Sequence, residues 1–405
     1  MKIGMVLGAP FPPDIRVAKE SKALVNAGFD VHLLCTAEHD KPSLEVIKGI
    51  KIHRANMPYG NTQAKFWNIL AELIFVHPLW LKNIHAFVKD NQIQILHVHD
   101  LPLVNTALKA KRFLKIPVIA DLHENYPAAI QVWNNSSFDV LKVIKSKTIN
   151  KYTRWIAHEK KVCAEVDHII VVIDEMKDRL VRTHSLSPGK ITVVINTEDP
   201  EFIKSANYDA GLVERYEKNF IISYIGGFGP HRGLATAIKG MSIIAKEIHE
   251  ALLLIVGKGN HRFEGQLKGQ VKELGLERNV KMLGWQPLEK VYTYMTASNI
   301  GIIPHEKSEH TDNTIPHKLF QYMMVGKPLI VSNCTPLKRI VETHQCGTVF
   351  ETDNHKSFAK RVIELYNDLA TMKKLGENGR KATLNGTLNW DYTAGSLVNV
   401  YKTWA

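Results

Sequence analysis

Short apolar runs alternate with helical stretches along this chain, and the alternation starts twice. The first series runs through 2–8, 30–35, 50–55, 92–99, 116–122, 167–173 and 190–196, with a helix over 14–28 closed by Gly28 and a helical region over 138–165. The second begins at NFIISYIGG (219–227) and continues at 251–257, 279–284, 299–305, 328–333 and 347–351. Strands that alternate with helices pair in parallel, and a parallel sheet needs helices on both faces. Two such series predict an α/β chain of two doubly wound, Rossmann-like domains. At 405 residues the chain is also too long for one ordinary core.

The Pro- and charge-rich segment 197–218 reads as the connection. The expected domains are therefore 1–197 and 198–385, followed by a terminal segment, 386–405. Open α/β sheets bind ligands beyond the carboxyl ends of their strands, where the strand order reverses. Two such edges facing one another would make a cleft, with one ligand on each side.

Composition, 45% hydrophobic and 23% charged, is that of an ordinary globular protein. Cys35, Cys163, Cys334 and Cys346 show no metal-ligand spacing, which points to a reducing compartment with neither disulfides nor a structural zinc. MKIGMVLGAPFPPD reads as a first strand and not as a signal peptide, because Asp14 and Arg16 follow at once. The stretch 66–84 is interrupted by Glu72, His77 and Pro78, so it suits a helical hairpin lying on a membrane surface or packing on its own domain. Net charge is +12, densest over 142–161. A basic face of this kind serves anionic lipid or a diphosphate-bearing acceptor, or is simply a solvated helix face. No reader module accompanies the basic residues, so a nucleic-acid partner is not expected.

The chemistry-bearing residues fall at strand ends. In YIGGFGPHRGL (224–234), Gly226 and Gly227 let backbone N–H groups approach an anion, and Arg232 can hold a diphosphate by its fork. Gly257 ends the next strand, and Gly284 with Trp285 ends another. The polar run Asp312, Asn313 and Thr314, with Ile315, leads into a helix carrying Lys318 and Gln321. A nucleotide is expected across this edge, its base near 282–286 and its phosphates near 226–232 and 313–318. Asp312, Asn313 and Gln321 would bond sugar hydroxyls.

In the first domain, His97 and His99 share a strand face, and Asp121, His123 and Glu124 end another strand. His99 and Glu124 are expected to contact an acceptor, and Asp14 and Arg16 to contact that acceptor or the donor phosphates. A histidine at such an edge can bond a reacting hydroxyl or move a proton near neutral pH. There is no DxD motif, so no metal and no cofactor is expected. The charge of a leaving group must then be met by Arg232, Lys318 and helix dipoles.

The stretches HVHD (97–100), DLHEN (121–125), YIGGFGPHRGL, LLLIVGKG (252–259), MLGWQPLEKVYTYMTASNIGIIPH (282–305) and NTIPHKLFQYMMVGKPLIVS (313–332) together resemble the retaining glycosyltransferases of family 4, of group 1 type and GT-B fold. The resemblance covers nearly the whole chain. It implies a nucleotide-sugar donor, UDP- or GDP-linked, on the C-terminal domain and a saccharide or lipid-linked acceptor on the N-terminal one. It implies transfer of a hexose or N-acetylhexosamine with retained configuration and without metal, by a cytoplasmic enzyme, peripheral on the membrane face, that builds a surface glycan. WDYTAGSLVNVYKTW (390–404) is similar to the family's last helix, which returns to the first domain. Arg232 matches the family's phosphate-binding cation, while Gly227 stands where a second is usual; Lys318 can supply that charge. His123 matches the histidine near the donor sugar. The family's two glutamates fall on Asn313 and Gln321, neither of them acidic. Two alternatives remain: a sugar-nucleotide 2-epimerase, a class that shares the two-domain architecture, and a sugar-nucleotide-binding subunit without catalysis, to which Asn313 and Gln321 point.

Overall fold

The computed structural model describes residues 1–38, 40–55, 57, 62–135, 148–204 and 208–404. The chain divides into two compact units, one of Met1–Ile195 with Ala394–Ala405 and one of Asn196–Thr393. The first therefore takes back the end of the chain, and the second begins at Asn196, just before the expected connection.

The first unit holds an eight-stranded sheet, built from β1 (Lys2–Pro10), β2 (Asp30–Thr36), β3 (Leu44–Ile47), β4 (Ile50–Ala55), β5 (Ile95–His99), β6 (Val118–Leu122), β7 (His168–Val171) and β8 (Ile191–Val193). Their order is β3-β4-β2-β1-β5-β6-β7-β8, and every pair is parallel except β3 with β4. The order reverses between β1 and β5, whose register places Val6 opposite Val98. The end of β1, Leu7 to Ala9, thus lines a common cavity with His99 and Asp100. The buried strands are near-continuous β-branched and aliphatic runs, as covered parallel strands must be.

Local chemistry sets the helix starts. Asp14 accepts from the N–H of Val17 at 3.0 Å and so opens the helix Ile15–Asn26. His77 does the same for Pro78–Asn91, whose first residue is the proline that such a start favours. The expected hairpin over 66–84 is a pair of helices, Thr62–Ile74 and Pro78–Asn91. The former keeps Phe66, Ile69, Leu73 and Ile74 exposed. No helix among the described residues is long and apolar enough to cross a membrane. Of the basic stretch 142–161, residues 142–147 lie outside the described residues; Tyr152–Glu165 is a helix that buries Trp155, Val162 and Cys163.

The second unit holds six parallel strands, β9 (Phe220–Ile225), β10 (Ala251–Val256), β11 (Val280–Gly284), β12 (Ile300–Ile303), β13 (Leu329–Ser332) and β14 (Gly347–Phe350). Their order is β11-β10-β9-β12-β13-β14, so the reversal falls between β9 and β12. One face packs Ile222, Tyr224, Leu253 and Ile302 against Met241, Phe358 and Val362 of the helices Leu234–Glu247 and His355–Asn367. All four cysteines are buried and free, and burial pushes the Cys35 and Cys346 thiols up to about 11 and about 12.

Candidate functional site

The β9–β12 reversal of the second unit gathers positive charge. After β9 the backbone turns at Gly226 with φ +125°, a conformation that L side chains rarely adopt. A Cβ there would also stand 2.8 Å from Nζ of Lys318. Gly257 and Gly284 continue this edge, with the N–H of Gly226 donating to the Val256 carbonyl and that of Gly257 to the Gly284 carbonyl, each at 2.8 Å. Gly227 follows on the β9 loop, and Trp285 stands largely exposed beyond β11.

Lys318 lies with its ammonium 3.6 Å above the centre of the Tyr224 ring, a cation–π contact. Burial, reinforced by the Arg232 charge, holds the lysine well below its ordinary pKa. Arg232 donates to Nε2 of His305 at 3.0 Å. His231 and His310 complete the cluster, their rings 5.8 Å apart. Burial, then Arg232, pushes them down to about 3 and about 4. Neither Arg232 nor Lys318 has a carboxylate partner among the described residues. A guanidinium, a lysine whose depressed pKa an anion would restore, and three neutral imidazoles at a strand-order reversal make a site for an anion.

Gly233 locks the two strand ends together. It has φ +66°, and a Cβ there would lie 1.7 Å from the carbonyl oxygen of Pro304, the residue after β12 that precedes His305. The helix Leu234–Glu247 starts at this contact.

The polar run at 310–321 behaves differently from expectation. Thr311–Asn313 is a short 3-10 turn, and the helix after it, Lys318–Met324, has only seven residues. Its dipole is correspondingly weak, and the ammonium of Lys318 is the main positive group it brings. Asp312 is drawn away to accept from the N–H of Thr335 at 2.7 Å. Asn313 donates to the Glu309 carbonyl at 2.6 Å. Gln321 donates to Glu198 at 2.7 Å, and the same carboxylate lies 3.3 Å from His317. Thr314 is extended and Ile315 buried. The carboxylate beside position 321 thus comes from Glu198, a residue that sequence reasoning missed along with His231, His305, His310 and Tyr224.

In the first unit the β1–β5 reversal holds a second polar cluster. His123 is gripped by two carboxylates, Nε2 to Asp121 at 2.7 Å and Nδ1 to Asp100 at 3.5 Å. Burial alone would lower its pKa; Asp100 and Asp121 outweigh that and hold it up at about 10. Its imidazole is therefore a cation. His99 is the opposite case, pushed down to about 3 by burial and by His97, with Nδ1 3.1 Å from Asp121. Asp100 takes φ +65° at the end of β5, a strained value of the kind that collects at functional sites.

Two expected acceptor contacts go elsewhere. Arg16 is buried, its guanidinium shared by Asp121 at 2.9 Å, Glu20 at 2.8 Å and the Val194 carbonyl at 3.1 Å. Asp14 caps its helix. The physical reason is position: both open a helix whose first turn packs on the sheet. Glu20, His97, His99 and Asp121 bring donor atoms of metal-ligand type within 4.8 Å of one another. Arg16 already meets both carboxylates there, and the Glu20 carboxyl is pushed up to about 8 by burial, so the group balances its charge internally.

Two family models match the chain in succession, Glycosyltransferase Family 4 over residues 15–202 and Glycosyl transferases group 1 over 212–382. The capsular polysaccharide biosynthesis glycosyltransferase CapM of Staphylococcus aureus is 22% identical over 54% of this chain and 57% of its own. The phosphatidyl-myo-inositol mannosyltransferase of Mycobacterium leprae is 21% identical over 100% of this chain and 97% of its own. The chain thus spans little more than half the length of CapM, and all of the mannosyltransferase but a few per cent. Sucrose-phosphate synthase from Thermosynechococcus elongatus superposes over 100% of this chain and 98% of its own, with TM-score 0.81 at 16% identity. Anabaena HepE, solved in complex with UDP-glucose, covers 100% of both chains with TM-score 0.74 at 12% identity. Two matched models in tandem, two doubly wound sheets that are parallel but for the β3–β4 pair, and these neighbours agree: the chain belongs to the family 4, group 1 glycosyltransferases and has the GT-B fold.

Proposed function

We propose that the protein is a retaining glycosyltransferase that moves a hexose or N-acetylhexosamine from a UDP- or GDP-sugar to a saccharide or lipid-linked acceptor during surface glycan synthesis. The observation that carries this reading is the pairing of Arg232 and Lys318, two cations without carboxylate partners among the described residues, at the β9–β12 reversal. A diphosphate brings the negative charge these groups lack, and charge developing on the departing nucleotide is stabilised by the same two groups without a metal. HepE, whose structure holds UDP-glucose, and CapM, a capsular polysaccharide enzyme, support this class of donor and product. In this reading the donor occupies the second unit and the acceptor the first. His123, as an imidazolium, then steadies developing negative charge and does not abstract a proton.

The protein works at the cytoplasmic membrane face, where the exposed apolar residues Phe66, Ile69, Leu73 and Ile74 rest on lipid. A second reading, a nucleotide-sugar-binding subunit without turnover, is favoured by one observation: positions 313 and 321 carry amides and not carboxylates, and each amide already gives one N–H to a protein partner.

The test is a thermal-shift screen of UDP- and GDP-sugars on the wild type and on Arg232→Ala. A ligand that binds the folded form raises its melting point, and the substitution removes the rise. No shift with any donor would overturn the proposal. A shift without hydrolysis or transfer would select the second reading.

A further inference from the structure

Glu198 is held at both its main chain and its side chain. Its backbone carbonyl accepts from the N–H of Trp390 at 2.9 Å, and its Oε1 accepts from the N–H of Asp199 at 2.8 Å. Oε2 accepts from the side-chain amide of Gln321 at 2.7 Å and lies 3.3 Å from Nε2 of His317. Only 5% of the residue is exposed. A carboxylate buried this far stays in place because both its oxygens have partners.

A carboxylate only accepts, so the Gln321 amide can meet it by its NH2 end alone. That choice fixes the other end, and Oε1 is turned to the opposite side of the amide. No described residue donates to this oxygen, and it is not among the unpartnered side-chain atoms shut off from solvent. Asn313 repeats the arrangement, with its NH2 on the Glu309 carbonyl and its Oδ1 equally open. Gln321 follows Lys318 by three positions on one helix, so the two share a face, and the open oxygen belongs to the face that carries the ammonium. The partner of a bare carbonyl oxygen is a hydrogen-bond donor. Negative charge on the N–H side polarises the amide and makes that oxygen a better acceptor. An ionised diphosphate has no hydrogen to give, whereas a hydroxyl beside it has.

We propose that Glu198 is a positioning residue: it holds the Gln321 amide with its oxygen free, so that this position accepts a hydrogen bond from a hydroxyl next to the diphosphate. The proposal rests on the nucleotide-sugar reading above. The hydroxyl belongs to the ribose or to the sugar on the far phosphate, two sources of one chemistry that the test separates.

Titration calorimetry of the full chain compares UDP, GDP, UDP-glucose and GDP-mannose with analogues that lack one hydroxyl, on the ribose or on the sugar. In the wild type, loss of the bonded hydroxyl weakens binding about three- to tenfold, the size of one such bond. The ring on which that loss occurs names the source. Gln321→Leu, similar in size but without an oxygen, removes the discrimination. So does Glu198→Gln: the N–H of Asp199 claims the new amide oxygen, the new NH2 faces position 321, and the Gln321 amide must turn over. Glu198→Gln combined with Gln321→Glu restores the discrimination, because the amide at 198 then donates to the carboxylate at 321 and leaves it a free oxygen. The proposal is overturned if the wild type discriminates at no hydroxyl, or if either single variant weakens the parent nucleotide and its deoxy analogue alike. It is also overturned if the exchanged pair melts with the wild type yet does not discriminate. Failure of every nucleotide to bind the wild type sinks the transferase reading itself, whereas binding without discrimination sinks this proposal alone.

Discussion

The guanidinium of Arg232 donates from Nη1 to Nε2 of His305 at 3.0 Å. An imidazole that accepts at Nε2 is neutral and carries its proton on Nδ1. Burial, then the charges of Arg232 and Lys318, hold His305 well below its ordinary pKa and keep it in that state. His305 thus holds the fork of Arg232, and in the proposed function it is a positioning residue for the diphosphate. A hydrogen bond to a charged group is worth about 1.5–3 kcal/mol. His305→Ala should therefore weaken UDP or GDP binding by about tenfold to a hundredfold, measured by titration calorimetry. His305→Gln, which keeps an acceptor oxygen, should recover most of the loss. Equal loss in both variants would mean that the imidazole acts by packing alone.

Lys318 carries a second expectation. Its pKa is depressed in the free protein by burial and by Arg232. A bound diphosphate brings negative charge, which raises that pKa toward its ordinary value. Between the two values binding takes up a proton, so affinity falls as pH rises through that window. Calorimetry of UDP in buffers of different ionisation enthalpy should detect the uptake. Lys318→Met should abolish it, and uptake unchanged in that variant would assign the proton to another group.

His123 titrates in the opposite sense. Its folded pKa of about 10 lies above the unfolded value of about 6.5. The stability it contributes is therefore complete below about pH 6.5 and is lost as pH rises through about 10. The denaturation free energy of the wild type minus that of His123→Gln should shrink steadily from pH 7 to pH 10. A gap that widens over that range would reverse the assignment of His123 as a cation between Asp100 and Asp121.

Gly233 makes a steric prediction. Gly233→Ala meets the Pro304 oxygen at 1.7 Å and a left-handed backbone, so the β9 and β12 ends must move apart. The expected cost is at least about 3 kcal/mol, read as a lower melting point together with lost nucleotide binding. Gly284→Ala is the control. It has φ +68° but open space around its Cβ, so only the conformational cost of about 1–2 kcal/mol applies. Comparable losses in both would remove the case for a steric lock.

Strand ends were legible wherever an apolar run stops at glycine, as FIISYI does before Gly226 and ALLLIV before Gly257, because burial on both faces leaves an unbroken hydrophobic string. The edge strand β3 escaped notice for the converse reason. Its alternate residues face solvent, with Leu44 and Val46 exposed, so LEVI has no such string. Asp14 and Arg16 looked like ligand contacts because they follow the first strand, yet one caps a helix and the other turns under it. Which face of a first helical turn meets the sheet is decided by packing, and nothing in the local sequence encodes it. The cluster of His231, His305 and His310 depends on β9 and β12, which have two other strands between them in the chain, so proximity in the chain is silent about it. Glu198 reaches Gln321 across 123 positions for the same reason.

Tyr401 is buried, with its hydroxyl against Nδ1 of His97 and its ring 5.9 Å from Phe29. The segment that carries it belongs to the first unit, although the whole of the second unit is encoded between. During synthesis, residues 1–195 leave the ribosome long before this phenol exists, and the cleft it fills beneath His97 stays open while Asn196–Thr393 is made. The amino-terminal half must therefore wait, incompletely closed, for its last piece. A fragment ending at residue 195 should accordingly be less stable than the same fragment supplied with a peptide spanning 394–404.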